Sequence, residues 1–226
     1  MLTIVIALYP GITQLDFTGP HQVLTRAPDV QVLTASMGGA DIEAEGLVFT
    51  RLAKLEEIAR CDVLLVPGGF GTLAAMGDDA FVAVIRRLGL GARYVTSVCT
   101  GSLILAAAGL VEGRRAACHW AWRDLLEPFG AVVSSARVER DGNLITGGGV
   151  TAGIDFALVL LAELAGETYA QAIQLALEYA PDPPFDSGRP ELASDEVRAL
   201  VEARMAAMAP DRRAAAQAAA RRLKAA

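Results

Sequence analysis

Apolar runs of strand length alternate with stretches of helical period along most of this chain. Residues 2–8 (LTIVIAL) are continuously apolar and end at Pro10-Gly11, which predicts a first strand buried on both faces. A helix is expected within 15–26, starting near Thr18-Gly19-Pro20 with threonine as cap and proline in the first turn. VQVLTA (30–35) predicts the next strand and LVFT (47–50) a weaker one. A short helix over 54–59 leads into DVLLVPGG, a strand stopped by Pro67. Residues 79–89 read as helix, 93–98 (RYVTSV) as strand, and 100–108 as a helix closed by Gly109. VERDGNLIT predicts a β-hairpin with Asp141-Gly142 as its turn. Helical patterns then run from Thr151 to about Leu164 and from about Thr168 to Tyr179.

This order predicts an α/β fold over residues 1–180: a parallel-sheet sandwich with helices on both faces and a small β-hairpin. Such sheets bind ligands at the carboxyl ends of their strands. Three loops fall there, carrying Asp16, Pro67-Gly68-Gly69 and Cys99-Thr100. After Tyr179 the composition shifts. APDPPFDSGRP is too rich in proline for helix or inner strand and predicts an extended arm. The Ala-, Arg- and Glu-rich remainder favours helix, so 181–226 is expected to be an arm plus C-terminal helices packed on the body or on a second subunit. The arginines of DRRAAAQAAARRLKAA recur at helical spacing and read as a solvated face.

Composition narrows the partners. At 226 residues, 53% apolar, the chain can bury a full core. A net charge of −6 disfavours nucleic acid. No apolar run reaches the ~18–20 residues that span a bilayer, and MLTIVIALYP lacks the marks of a signal peptide. Cys61, Cys99 and Cys118 are odd in number and widely spaced, which argues against a disulfide framework and for a reducing, cytoplasmic setting. No CxxC, paired histidine or carboxylate cluster has metal-ligand spacing, and the glycine runs lack the phosphate-loop patterns, so neither metal nor cofactor is expected.

Cys99 is the candidate for chemistry. A strand-to-helix turn is expected to expose its sulfur and aim it at the first helical amides, which favour thiolate. A small buried residue at a tight turn is the alternative. Gly68-Gly69 and Thr100 offer backbone amides for a developing anion, although a plain glycine turn would look the same. Asp16, between Leu15 and Phe17, is a carboxyl that desolvation would keep neutral near pH 7; a helix-capping aspartate is the other reading. His119 reads as a structural or pocket-lining residue, and Cys61 and Cys118 as inert.

Taken together, QLDFTGPHQVL (14–24), VPGGFG (66–71), RYVTSVCTGSLILAAAGLVEGRRA (93–116), His119-Trp120 and DGNLITGGGVTAGIDFAL (141–158) resemble the ThiJ/PfpI superfamily. The resemblance covers about residues 2–180 and implies a flavodoxin-like, amidotransferase-type fold. Two branches share these stretches: isocyanide-hydrating enzymes and the sensing domains of AraC-type regulators. The arm LEYAPDPPFDSGRP (177–190) resembles the former, and no helix-turn-helix module follows it. The resemblance implies Cys99 as nucleophile, Asp16 as acid–base residue, Gly69 and Thr100 as backbone donors and Val150 in a bordering loop; His119 and Phe17 are read from the residues themselves as pocket lining. It also implies a small isocyanide substrate and a homodimer. Thr100 stands where peptidase-like relatives carry histidine, Asp16 where the deglycase branch carries glutamate, and Cys118 where close relatives tend to have threonine. Activity on α-oxoaldehydes, ligand sensing and redox sensing remain the competing readings.

Overall fold

A computed structural model, which describes residues 1–225, has eleven strands and eight α-helices, among them strands at 42–44, 53–54 and 132–134 and a helix at 72–77 that the patterning does not predict. The strands are β1 (Leu2–Ala7), β2 (Val30–Ser36), β3 (Ile42–Ala44), β4 (Leu47–Phe49), β5 (Ala53–Lys54), β6 (Val63–Val66), β7 (Tyr94–Val98), β8 (Arg115–Ala117), β9 (Val132–Ser134), β10 (Val138–Asp141) and β11 (Leu144–Gly147). The helices are α1 (Leu15–Leu24), α2 (Thr72–Gly77), α3 (Asp79–Gly91), α4 (Gly101–Ala107), α5 (Ala152–Ala165), α6 (Glu167–Ala176), α7 (Asp195–Ala206) and α8 (Ala209–Ala225).

Seven strands form the central sheet in the order β10-β11-β7-β6-β1-β2-β5. All its pairings are parallel except β10 with β11. The central strands β6 and β7 are buried along their whole length, as expected of continuous apolar runs covered on both faces. One helical group packs α1 on α5 and α5 on α6; the other gathers α2, α3, α4 and α8. The carboxyl ends of β1, β6 and β7 lie side by side, and the loops bearing Asp16, Gly68 and Cys99 leave from them.

Within the predicted elements the structure departs from the patterning at three points. Helix α1 begins at Leu15, not near Thr18, and Pro20 lies inside it. Thr13 and Gln14 carbonyls accept the N–H groups of Asp16, Phe17 and Thr18, so the turn closes three residues early and Thr18 is no cap. Asp16 therefore sits in a rigid first turn instead of a loop. The hairpin pairs Asp141 with Leu144, which makes Gly142-Asn143 the turn. The weaker strand expected at LVFT is present as β4, in a separate two-stranded ribbon with β3. Only one 3₁₀ turn, Leu55–Glu57, forms where a short helix is expected over 54–59.

Candidate active site

Cys99 occupies the elbow between β7 and α4 with φ of +58°, a left-handed conformation that costs a non-glycine residue energy and persists only when its surroundings enforce it. They do. The Cys99 N–H donates to the Gly147 carbonyl at 3.1 Å, and the Leu103 N–H donates to Thr100 O at 3.0 Å. The crossing is so close that a Cβ on Gly101 would run into the Val66 carbonyl oxygen. A Cβ on Gly68 would strike the Thr100 amide and lie 2.9 Å from Asp16 Oδ2.

Asp16 is fully buried. Its Oδ2 accepts the Gly68 N–H at 2.8 Å, Oδ1 has no hydrogen-bond partner among the described residues, and the Cys99 thiol is a neighbouring ionisable group. Burial pushes the Asp16 carboxyl up to about 7, against the opposing effects of the Gly68 amide and the thiol. Burial also pushes the Cys99 thiol well above its ordinary range, and a charge on Asp16 adds to that, while the Thr100 N–H favours thiolate. As a pair they lose a first proton near pH 7 and the second far higher.

The expected exposed sulfur is thus corrected. Cys99 is only 5% exposed and no more accessible than Cys61 or Cys118, because α4 and the Gly68 loop close over the elbow. Position, not exposure, sets it apart: Cys99 lines a cavity of about 230 Å³ together with Gly69, Phe70, Thr100, His119, Trp122, Val150 and Arg212. Asp16 lies outside that lining. Cys118 lines an adjoining cavity with His119 and Val150, and burial pushes its thiol to about 12.

Gly69 is present but its amide is committed. Its N–H donates to Thr100 Oγ1 at 3.0 Å, the Thr100 hydroxyl stands 2.8 Å from Thr72 Oγ1, and the Thr72 hydroxyl donates to Gly69 O at 2.8 Å. These bonds close a ring on one residue and fix the loop, so the Gly69 amide is not a free donor for an anion. The Thr100 amide remains. Phe17 turns away from the cavity and meets the Phe49 ring edge-on at 4.8 Å; one position past Asp16 on α1, it points toward the core. His119 Nδ1 accepts the Ala121 N–H at 3.3 Å, and burial and Arg212 hold the ring below its ordinary value, so His119 is a neutral lining residue with its proton on Nε2.

Three participants escape the sequence reading. Thr72 follows Gly69 by three residues, a spacing typical of a hydroxyl turning back onto the chain. Tyr9 donates its hydroxyl proton to Pro67 O at 2.8 Å from β1's far end. Arg212 of α8 is 3% exposed, overturning the solvated-face reading at that position. Nothing in an alanine-arginine repeat distinguishes it from its neighbours. Among the described residues no group of three or more His, Cys, Asp or Glu could hold a metal, and no helix is long and apolar enough to cross a membrane.

Comparison with known proteins shows the chain's relatives and its family. The chain is 51% identical, over 84% of each chain, to an isonitrile hydratase of Pseudomonas putida. It is 34% identical over 72% of its length to the transcriptional regulator CdhR of Pseudomonas aeruginosa, of which it spans 51%. A crystal structure of a ThiJ/PfpI family protein from Pseudomonas syringae superposes with a TM-score of 0.91 at 40% identity, covering 97% of this chain and 90% of that one. The DJ-1/PfpI family profile matches residues 2–163, and the chain belongs to that family.

Proposed function

We propose that this protein is an isocyanide hydratase that converts R–N≡C and water to R–NH–CHO through a thioimidate on Cys99. One observation carries the reading: a buried carboxyl, which burial pushes up to about 7, neighbours a sulfur that lines a small cavity. An isocyanide has an electrophilic terminal carbon and no leaving group, so it needs one nucleophile and one proton carrier. The isonitrile hydratase of Pseudomonas putida, alike over most of its length, supports the same chemistry.

In the reactive form Cys99 is thiolate and Asp16 carries the proton. The sulfur pair forms an S–C bond to the isocyanide carbon, and Asp16 protonates that carbon to give R–N=CH–S–Cys99. The Asp16 carboxylate then takes a proton from water as its oxygen adds, and passes that proton to nitrogen. Collapse of R–NH–CH(OH)–S breaks the C–S bond, returns thiolate and gives the hydroxyl proton back to Asp16. Atoms balance without cofactor or oxidant. The Thr100 amide faces the charge that develops at sulfur. Phe70, Trp122 and Val150 give R an apolar wall.

The 181–226 segment acts as an arm and helical extension that completes the site and meets a second subunit, so the enzyme works as a homodimer. Phe185 is 78% exposed, Leu200 is 65% exposed and α7 buries no side chain, which supports a partner surface there. Three free cysteines suit the reducing cytoplasm. The deciding assay follows formamide release from an alkyl and an aryl isocyanide, with methylglyoxal in parallel. Turnover of isocyanide alone supports the reading; turnover of methylglyoxal alone overturns it.

A further inference from the structure

Helix α8 spends its arginines unequally. Arg213 pairs with Asp124 at 2.7 Å, and Arg222 donates to the Met76 carbonyl at 2.9 Å. Arg212 does neither. It is buried, its Nε and Nη1 have no hydrogen-bond partner among the described residues, and its guanidinium lies over the Trp122 ring at 4.4 Å. It lines the same cavity as Cys99 and Thr100. A buried cation without a partner is among the costliest arrangements a fold can hold, so it marks a place where negative charge is due.

The neighbours narrow the choice. Glu45 lines the cavity too, but its carboxylate accepts the Gln14 N–H and forms no ion pair with Arg212 among the described residues. The ionisable groups near enough to feel the guanidinium are Cys99, Cys118, Tyr9 and His119. His119 is held neutral. The Tyr9 hydroxyl donates to Pro67 O, and Cys118, which feels Asp124 and Asp16 only as charges, has no side-chain hydrogen bond to either. Cys99 adjoins an acceptor, the side chain of Asp16. Because a guanidinium does not give up its proton, the attraction falls on the sulfur and favours S⁻ with Asp16 protonated over SH with Asp16 ionised. The Gly69 amide, meanwhile, is spent on Thr100, which leaves the anion site one donor short.

We propose that Arg212 is the fixed counter-charge of this site: it holds Cys99 as thiolate and then takes the negative charge that attack passes to the substrate. The residue lies beyond the 2–163 span the family profile matches, so the C-terminal helix becomes part of the catalytic centre. The substrate half rests on the hydratase reading; the thiolate half does not.

The test is alkylation of Cys99 by iodoacetamide from pH 5 to 10, read by peptide mass mapping that separates Cys61 and Cys118. Wild type is compared with Arg212→Met, which keeps the stem on Trp122, and with Arg212→Lys, which keeps the charge. The Met variant is expected to shift the midpoint up by about one pH unit and to react about tenfold more slowly at neutral pH, while the Lys variant stays within about threefold of wild type. A Met profile that overlays wild type overturns the proposal, as does a Lys variant that behaves like Met. A general rise in reactivity of all three cysteines would mean a loosened fold and likewise overturns it. If wild type hydrates no isocyanide but the Met shift appears, the substrate reading falls and the counter-charge stands; if hydration is present and alkylation is unmoved, only Arg212 falls.

Discussion

Thr100 Oγ1 accepts the Gly69 N–H at 3.0 Å while standing 2.8 Å from Thr72 Oγ1. The Thr72 hydroxyl donates to Gly69 O at 2.8 Å, and the Thr100 hydroxyl approaches the same oxygen at 3.4 Å. Tyr9 Oη also stands 3.2 Å from Thr72 Oγ1 while its hydroxyl donates to Pro67 O. Thr72→Val keeps the shape and removes the middle of the ring. Loss of the Thr72 hydroxyl's bonds to Gly69 O and Thr100 Oγ1 is expected to cost about 0.5–1.5 kcal/mol of stability by denaturant titration, the Gly69 carbonyl keeping the backbone N–H of residue 72. Because the Gly68 amide that holds Asp16 leaves the same loop, kcat should fall several-fold with little change in KM. Unchanged stability and kinetics would remove the ring from the account.

Cys99→Ala is expected to abolish hydration, with circular dichroism unchanged. Formamide at the wild-type rate would exclude the covalent route.

The Asp16–Cys99 pair sets a pH profile whose sign follows from its proton count. Below about 7 the pair holds two protons and no thiolate; above it one proton remains to be shared. kcat/KM should rise through about pH 7 and stay level until the second proton leaves. Asp16→Asn should cut kcat by about 10²–10⁴-fold, the usual worth of a positioned acid, and erase the inflection near 7. An Asn variant that kept that inflection would assign it to another group.

The same carboxyl should destabilise the protein as pH rises. Its folded value, about 7, lies above the ordinary 3.8, so the native state holds a proton that the unfolded chain has released. That contribution is fully present below about pH 4 and is lost as pH rises through 7. Asp16→Asn, neutral throughout and still able to accept the Gly68 N–H, should therefore gain stability over wild type at pH 7.5 and little at pH 4.5. Thermal melts at the two pH values decide it. An equal change at both would mean the gain is packing and not proton linkage.

Periodicity was enough for the sheet because β1, β6 and β7 are buried on both faces, and such strands have to be unbroken apolar runs. The loops at their ends followed, and with them Cys99, Asp16 and the Gly68-Gly69 turn. Boundaries failed where hydrogen bonding was local. Thr18 looked like a cap, but carbonyls at 13 and 14 closed the turn first. Exposure failed for Cys99 because an elbow's accessibility depends on what crosses it, here α4 beneath a loop contributed by β6. Arg212 was illegible for a stronger reason. Its role comes from which residue of a repetitive helix faces Trp122, and a pattern of alanine and arginine does not encode the docking rotation of that helix.

Helix α7 supplies the remaining prediction. Its Ser194 hydroxyl caps the Val197 N–H at 3.3 Å and its first turn carries Asp195 and Glu196, so the helix is well started. Yet it buries no side chain in the single chain, and Val197 and Leu200 stand open to water. A helix of this length gains most of its stability by packing, so a second copy covering the face is the economical arrangement. Sedimentation should give twice the 23.7 kDa chain mass. Leu200→Arg should weaken self-association by at least about tenfold, as expected when a charge enters an apolar interface. Since α7 leads directly into α8 and Arg212, the monomeric variant should also lose hydration activity at low protein concentration and recover it as concentration rises. A wild-type chain that sediments as a monomer at all concentrations, fully active, would separate the C-terminal helices from any partner and leave Arg212 to a single subunit.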